Sequence, residues 1–562
     1  MRTAAILLLT AASVSLFPAR APRPESAAAA PKVYPYRWVY MRNGLASEED
    51  VKRFAGIAET AARHGLNGIL LHGALDSMDR QPPEYFGRLK RAKAIAGQLQ
   101  LEIIPSGFGA GYGGSILGAD KNLAAGLPVR GALFVAGAKE ALFSPGRPPA
   151  LANGGFEPSP GGVLEGFSGQ APGERTFVDT SVFREGKASL RFENVPREQD
   201  VQLQQAIRVE PYRCYRFKVW VKTAGVSPSA PLFIRAMSSD GRRDMARFEP
   251  ALPPSSDWTQ YAGAFNSWFS NRMTIQVGVS GGAQGRIWID GLEIEEVGLV
   301  NVLRRPGTPV RVRDENTGQP REEGLDYAPI ADPRLDFRWD HEGPPIKLLP
   351  GGRIRPGDRL RVDYFHGTTI YRDQIVLCLS EPKVMEIWAR QIPLIEKHLA
   401  PKKYLLNTNE VRIGGHCEAC QRRRTGMAQM VGEHVAGLHR MIRAANPKAE
   451  ILVWSDMFDP HHNARNHYYM VDGDFTGSWE HIPKDLIIAC WYHRRRNLSL
   501  GHFSRLGFRT LAGAYYDADD LQNPKDWLES LDRTPGAIGI MYTTWENKYK
   551  LLAGFGELVS KR

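Results

Sequence analysis

The stretch SEPKVMEIWARQIPLIEKHLAPKKYLLNTNE, Ser380–Glu410, decides the fold: a helix, then a short apolar strand that runs into Asn409 and Glu410. A helix feeding a continuous apolar strand is the repeating unit of a parallel sheet covered on both faces. Its position makes it decisive. It follows a long region without helical periodicity and resumes a helix–strand alternation that starts near the N-terminus.

That earlier alternation opens with YRWVYM (Tyr36–Met41), a β-branched and aromatic run. Ser47, with Asp50 three residues on, approximates a capping box, and Val51, Phe54, Ile57, Ala58 and Ala61 recur at helical spacing until Gly65. LNGILLHG and LEIIPSGFG supply the next two strands. Downstream of the resumption come KYLLNTNE, AEILVWSDMF, DLIIACWYH, RTLAGAYYDAD and AIGIMYTTWEN. Together these make eight strands, the number a (β/α)8 TIM barrel requires.

Between the two halves, segments such as YRFKVWVKT and MTIQVGVSG alternate with a period of two between Gly, Pro, Ser and Asp turns. This predicts an all-β sandwich (jelly roll) inserted after the third barrel strand. The expected organisation is 36–147 for the first part of the barrel, 148–300 for the sandwich, 301–365 for a short β-rich connection and 366–562 for the rest of the barrel.

Active sites of such barrels lie at the C-terminal ends of the strands. Standing there are His72, Asn409, Glu410, Trp454, Asp456, Trp491, His493, Tyr515, Tyr516, Asp517, Trp545 and Glu546. The set suits a sugar: ring faces stack on Trp and Tyr, hydroxyls need Asp and Glu as acceptors, and cleavage needs a carboxylic acid at the glycosidic oxygen. Glu410, Asn409 and Asp456 are the expected catalytic residues, and His72, Trp454, Trp491, Tyr515, Asp517, Trp545 and Glu546 the expected substrate contacts. Blander roles also fit: a loop cap for Asp456, a salt bridge for Glu546 and a core position for His72.

The chain of 562 residues begins with MRTAAILLLTAASVSLFPARA, which reads as a secretory signal peptide over residues 1–21, with a flexible lead-in over 22–35. A secreted or periplasmic protein is expected, with no integral membrane segment after cleavage. The net charge of +11 comes from basic residues scattered among nearly as many acids, which gives no sign of a nucleic-acid partner. Five cysteines are too few for a disulfide framework. Cys417 and Cys420 form a CxxC pair without a second pair nearby, so no metal site and no cofactor are expected, and a local disulfide or free thiols fit better.

At its strand ends the chain resembles glycoside hydrolase family 20, the β-N-acetylhexosaminidase-like barrels. The features that carry this are Asn409-Glu410 closing strand four, VWSD on strand five, a Trp on strand six, YYD on strand seven and TTWEN on strand eight. The inserted segment looks like a carbohydrate-binding module, on NGGFE (Asn153–Glu157), GKASLRF (Gly186–Phe192) and IWIDGLEI (Ile287–Ile294). The resemblance implies a glycosidase acting on an oligo- or polysaccharide, with Glu410 as general acid in a partly apolar pocket of Trp454 and Trp545. The hexosaminidases carry Asp-Glu where this chain has Asn409-Glu410. An amide supplies no negative charge, so a degenerate barrel that binds glycan without cleaving it is the alternative.

Overall fold

Ser47 caps the first helix as its sequence predicts: its side chain accepts from the Asp50 backbone N–H while the Asp50 carboxylate accepts from the Ser47 backbone. The helix, Glu48–Arg63, buries Val51, Phe54, Ile57, Ala58 and Ala61 on one face. Past its end Gly65 takes φ +82°, a left-handed position that favours glycine. The computed structural model describes residues 32–170 and 173–562. The expected signal peptide and most of the lead-in lie outside the described residues.

Eight parallel strands close into a barrel: β1 (Tyr36–Arg42), β2 (Gly68–His72), β3 (Glu102–Gly107), β4 (Lys403–Leu406), β5 (Glu450–Trp454), β6 (Ile487–Cys490), β7 (Arg509–Tyr515) and β8 (Ala537–Thr543). β8 returns to β1 with Gly539 opposite Tyr36. The inside is filled by Trp38, Tyr40, Leu70, Ile104, Leu405, Leu452, Ile487, Leu511 and Met541, and Trp454 belongs to the same cluster. The barrel is therefore a packed core rather than a pore.

The structure departs from the expected pattern in three places. β4 stops at Leu406 rather than running to Glu410; Asn407 still bonds Gly107, but the chain then leaves the sheet and Glu410 sits at φ +52°. Between β5 and β6 there is no α-helix, only 3-10 turns at Asp456–Phe458 and Ser478–Glu480. That connection instead pairs with the loop after β4, Ile413–Gly414 running parallel to Met470–Val471. Lastly, Leu127–Ala136 and Glu140–Phe143, expected in the first part of the barrel, pair with Arg359–His366 and Ile346–Lys347 in a separate six-stranded antiparallel sheet. The segment 301–365 thus completes a layer of its own, with Phe134, Trp339, Val362 and Tyr364 in its core.

The insertion is two antiparallel sheets. One orders Asp244–Phe248, Leu232–Ser238, Arg272–Val279 and Val201–Arg208; the other orders Ser256–Asn266, Cys214–Ser227, Gln284–Glu296, Ser189–Glu193 and Thr176–Asp179. Val201–Arg208 shows the cause, with Val201, Leu203, Gln205 and Ile207 buried and their neighbours more exposed. Arg243 of this unit donates to the Tyr469 and Val471 carbonyls at 2.5 and 3.1 Å. The insertion therefore braces the loop after β5, which borders the barrel mouth. Among the described residues no helix is long and apolar enough to cross a membrane.

Candidate active site

Because β4 is short, the loop after it folds across the mouth and brings Glu410 to the loop after β5. The Glu410 backbone N–H donates to Asp456 Oδ2 at 2.8 Å, so the backbone of one predicted residue meets the carboxylate of the other. The Glu410 side chain, 17% exposed, forms an ion pair with Arg412 at 2.7 Å and accepts from the Tyr112 hydroxyl at 2.6 Å. Its expected apolar pocket of Trp454 and Trp545 is replaced by a guanidinium and a phenol.

Arg412 is almost buried, and its ring neighbours explain how a charge is held there. The guanidinium lies 4.5 Å from the centre of the Tyr371 ring and 5.0 Å from that of Tyr469. It also donates to Gln374, whose amide donates in turn to the carbonyls of Gly111 and Glu410 at 2.8 and 2.7 Å. One arginine thus fixes the carboxylate, the loop backbone and the neighbouring segment together.

Asp456 is fully buried and receives three N–H donors, from Glu410 at 2.8 Å, Asn463 at 2.9 Å and the Trp491 indole at 3.3 Å. Burial pushes its carboxyl up from the ordinary 3.8 to about 7, and the negative charge of Glu410 adds to the rise. The three donors oppose this but do not cancel it. Asp456 therefore retains a proton near neutrality.

The other predicted residues divide sharply. Trp491 and Tyr516 present parallel rings 5.9 Å apart, and Trp545 meets Tyr516 edge-on at 6.1 Å. Tyr516 is 45% exposed, so this aromatic wall faces solvent at the mouth. Tyr515, predicted to line it, is fully buried and stacks on Tyr542 at 4.1 Å. Tyr515, Tyr516 and Asp517 all have positive φ, 79°, 59° and 60°, and this turn sends Tyr515 into the core and Tyr516 outward. Trp454 is likewise a core residue, its indole donating to Asn407 at 2.9 Å.

Asp517 does not stand free for hydroxyls: it accepts from the Thr544 hydroxyl and from the backbone N–H groups of Trp545 at 2.7 Å and Glu546 at 3.3 Å, fixing the turn after β8. Glu546 is exposed and pairs with Lys548 at 2.7 Å, the salt bridge its sequence also allowed. His72 contacts Asn407 at 3.0 Å through Nδ1 and stacks on Tyr40, and burial pushes its pKa down. Asn409 has its carbonyl against Gly111. The amide in the strand-end network is Asn407, which accepts from Ser106 and Trp454 and meets His72.

Sequence reasoning missed Tyr112, Arg412 and Asn463, and it placed Tyr516 at the strand end but gave the wall to Tyr515. Arg412 stood beside Glu410 in NEVR; the signal was present, but the direction of each side chain was not. Nothing in the sequence tied Tyr112 to Glu410 across 298 positions.

Residues 149–282 match the family model of a carbohydrate binding domain. No curated protein matches the chain. Among solved structures, the chain is similar to TmCBM61, described in complex with β-1,4-galactotriose, at 19% identity over 26% of this chain and 98% of the other, with a TM-score of 0.21. It is also similar to a rhamnosidase from a Novosphingobium species, at 13% identity over 93% of this chain and 56% of the other, with a TM-score of 0.31. A β-N-acetylhexosaminidase from Bacteroides fragilis matches at 12% identity over 34% of this chain and 42% of the other, with a TM-score of 0.24.

Proposed function

We propose that this is an exported glycoside hydrolase acting on an oligo- or polysaccharide, with its active site at the barrel mouth and its inserted module holding carbohydrate beside it. The observation that carries the reading is the hydrogen bond from the Glu410 backbone to the Asp456 carboxylate, joining the loops after β4 and β5 beside an aromatic wall of Trp491, Tyr516 and Trp545. The match of residues 149–282 to a carbohydrate binding domain supports the substrate class.

The two carboxyls have environments that separate their roles. Asp456, with its pKa raised to about 7, supplies the proton, and Glu410, ion-paired with Arg412, supplies the negative charge that supports an oxocarbenium-like centre. This reverses the assignment made from sequence, where Glu410 was the acid. Trp491 donates to Asp456 Oδ1 while its ring belongs to the aromatic wall, so it couples the buried acid to the sugar face.

The test is hydrolysis of aryl α- and β-glycosides, with and without a 2-acetamido group, and of polysaccharides, by the wild type, Glu410→Gln and Asp456→Asn. Loss of at least about a hundredfold in kcat in both variants is expected, the scale of removing a general acid or base. The ion pair also gives weight to a second reading, a glycan-binding protein without turnover, since a carboxylate engaged by Arg412 and Tyr112 is committed to holding the loop rather than to the reaction. No hydrolysis by the wild type, together with glycan binding that survives Glu410→Gln, would select it.

A further inference from the structure

The loop that carries Glu410 continues into Cys417 and Cys420, and the fold brings a third cysteine to them. Cys378 Sγ lies 3.4 Å from Cys417 Sγ and 3.7 Å from Cys420 Sγ, and the last two are 3.6 Å apart. All three are buried, with at most 4% exposure. No other His, Cys, Asp or Glu among the described residues joins this cluster.

The triangle is nearly equilateral, and its size discriminates between uses. With zinc–sulfur bonds of about 2.3 Å, three corners of a tetrahedron stand about 3.8 Å apart and a planar trigonal set about 4.0 Å. The observed sides fall nearer the tetrahedral face. A disulfide would join two of the sulfurs and leave the third as an odd buried thiol, whereas three equidistant sulfurs serve one centre.

A second observation concerns charge. Arg305 is 5% exposed and lies beside Cys378 and Cys417. Its Nε pairs with Glu381 at 2.8 Å and its Nη1 donates to the Ala124 carbonyl at 2.9 Å, but its Nη2 is buried with no partner among the described residues. Burying an unmatched guanidinium arm is costly unless negative charge stands nearby. A zinc ion with three thiolates carries one net negative charge.

We infer that Cys378, Cys417 and Cys420 bind one zinc ion through three thiolates, with the fourth position open to water or another small ligand. Binding releases the thiol protons to solvent. The ion would clip the loop bearing Glu410 and Arg412 to the segment bearing Gln374, which already bonds the Gly111 and Glu410 carbonyls. The CxxC pair alone did not suggest this, because its third member lies 39 residues upstream of Cys417.

The experiment uses the full chain, reduced, loaded with zinc sulfate, desalted and assayed for metal by mass spectrometry. One zinc per chain is expected in the wild type, and at least tenfold less in Cys378→Ser and in Cys420→Ser. Should either variant fail to fold, cobalt(II) loading of the wild type decides: thiolate-to-cobalt charge-transfer bands with intense tetrahedral d–d absorption support the site. A reduced wild type that keeps no zinc and gives only the weak absorption of octahedral cobalt overturns the inference. So does an intact mass two hydrogens light, locating a disulfide within the cluster that excludes zinc until it is reduced and reforms when zinc is supplied in air.

Discussion

Asp456→Asn isolates the electrostatics of the site. In the unfolded chain the carboxyl titrates near 3.8, and in the folded protein it is pushed up to about 7. That difference is worth roughly 4 kcal/mol between the protonated and ionised folded forms. The folded state binds the proton more tightly, so the contribution is fully present below pH 3.8, is lost progressively as pH rises, and is gone above about 7. An asparagine has no such titration, so the variant should gain on the wild type by up to roughly 4 kcal/mol between acid and pH 8.5. Two assays read this. Difference infrared spectroscopy between pH 5 and 9 should show loss of a protonated carboxyl stretch in the wild type that is absent from Asp456→Asn. Denaturation of both proteins across the same range should show their stability difference changing sign or size with pH. Because the charge of Glu410 contributes to the rise, Glu410→Gln should move the infrared transition to lower pH. A carboxyl band that is already gone at pH 5, with a pH-independent stability difference, would mean that Asp456 is ionised in the folded protein and its burial does not raise its pKa.

Substitutions at four further positions probe the mouth and the core beneath it. Arg412→Ala should destabilise the protein by about 3 kcal/mol, since it strands a mostly buried Glu410 carboxylate; thermal denaturation reads it, and Arg412→Lys should restore the charge but not the fork that also holds Gln374. Gly111→Ala would place a methyl 2.8 Å from the Glu410 carbonyl oxygen and closer still to that of Asn409, so it should abolish activity or ligand binding while circular dichroism shows the barrel retained. Tyr515→Ala should cost about 3–5 kcal/mol of stability as a buried aromatic truncation. Tyr516→Ala should leave the melting temperature nearly unchanged and weaken glycan binding, measured by calorimetry, by about tenfold if it removes one stacking contact of about 1.4 kcal/mol.

The barrel strands and the inserted sandwich were legible because each depends on local periodicity. Val51, Phe54, Ile57, Ala58 and Ala61 face one way in any helix, and Met273, Ile275, Val277 and Val279 of MTIQVGVSG face one way in any strand. That Glu410 and Asp456 follow the C-terminal ends of neighbouring strands was legible from order along the chain, although β4 ends at Leu406 and a loop carries Glu410 onward. The missing helix after β5 was not, because that segment is organised by its pairing with the loop after β4.

Side-chain direction in the mouth belonged to the tertiary structure alone. Tyr515 and Tyr516 are chemically equal neighbours, and a run of left-handed residues decides which is core and which is wall. The raised pKa of Asp456 depends on its burial beside Glu410, and the Glu410 side chain is held by Arg412 and by Tyr112, which arrives from the loop after β3. The same holds for Cys378 beside the CxxC pair. The sequence by itself determined the periodic elements and the residue types at their ends, since those follow from nearest-neighbour geometry; which groups share a pocket, and hence their charge, required the long-range packing that only the closed barrel provides.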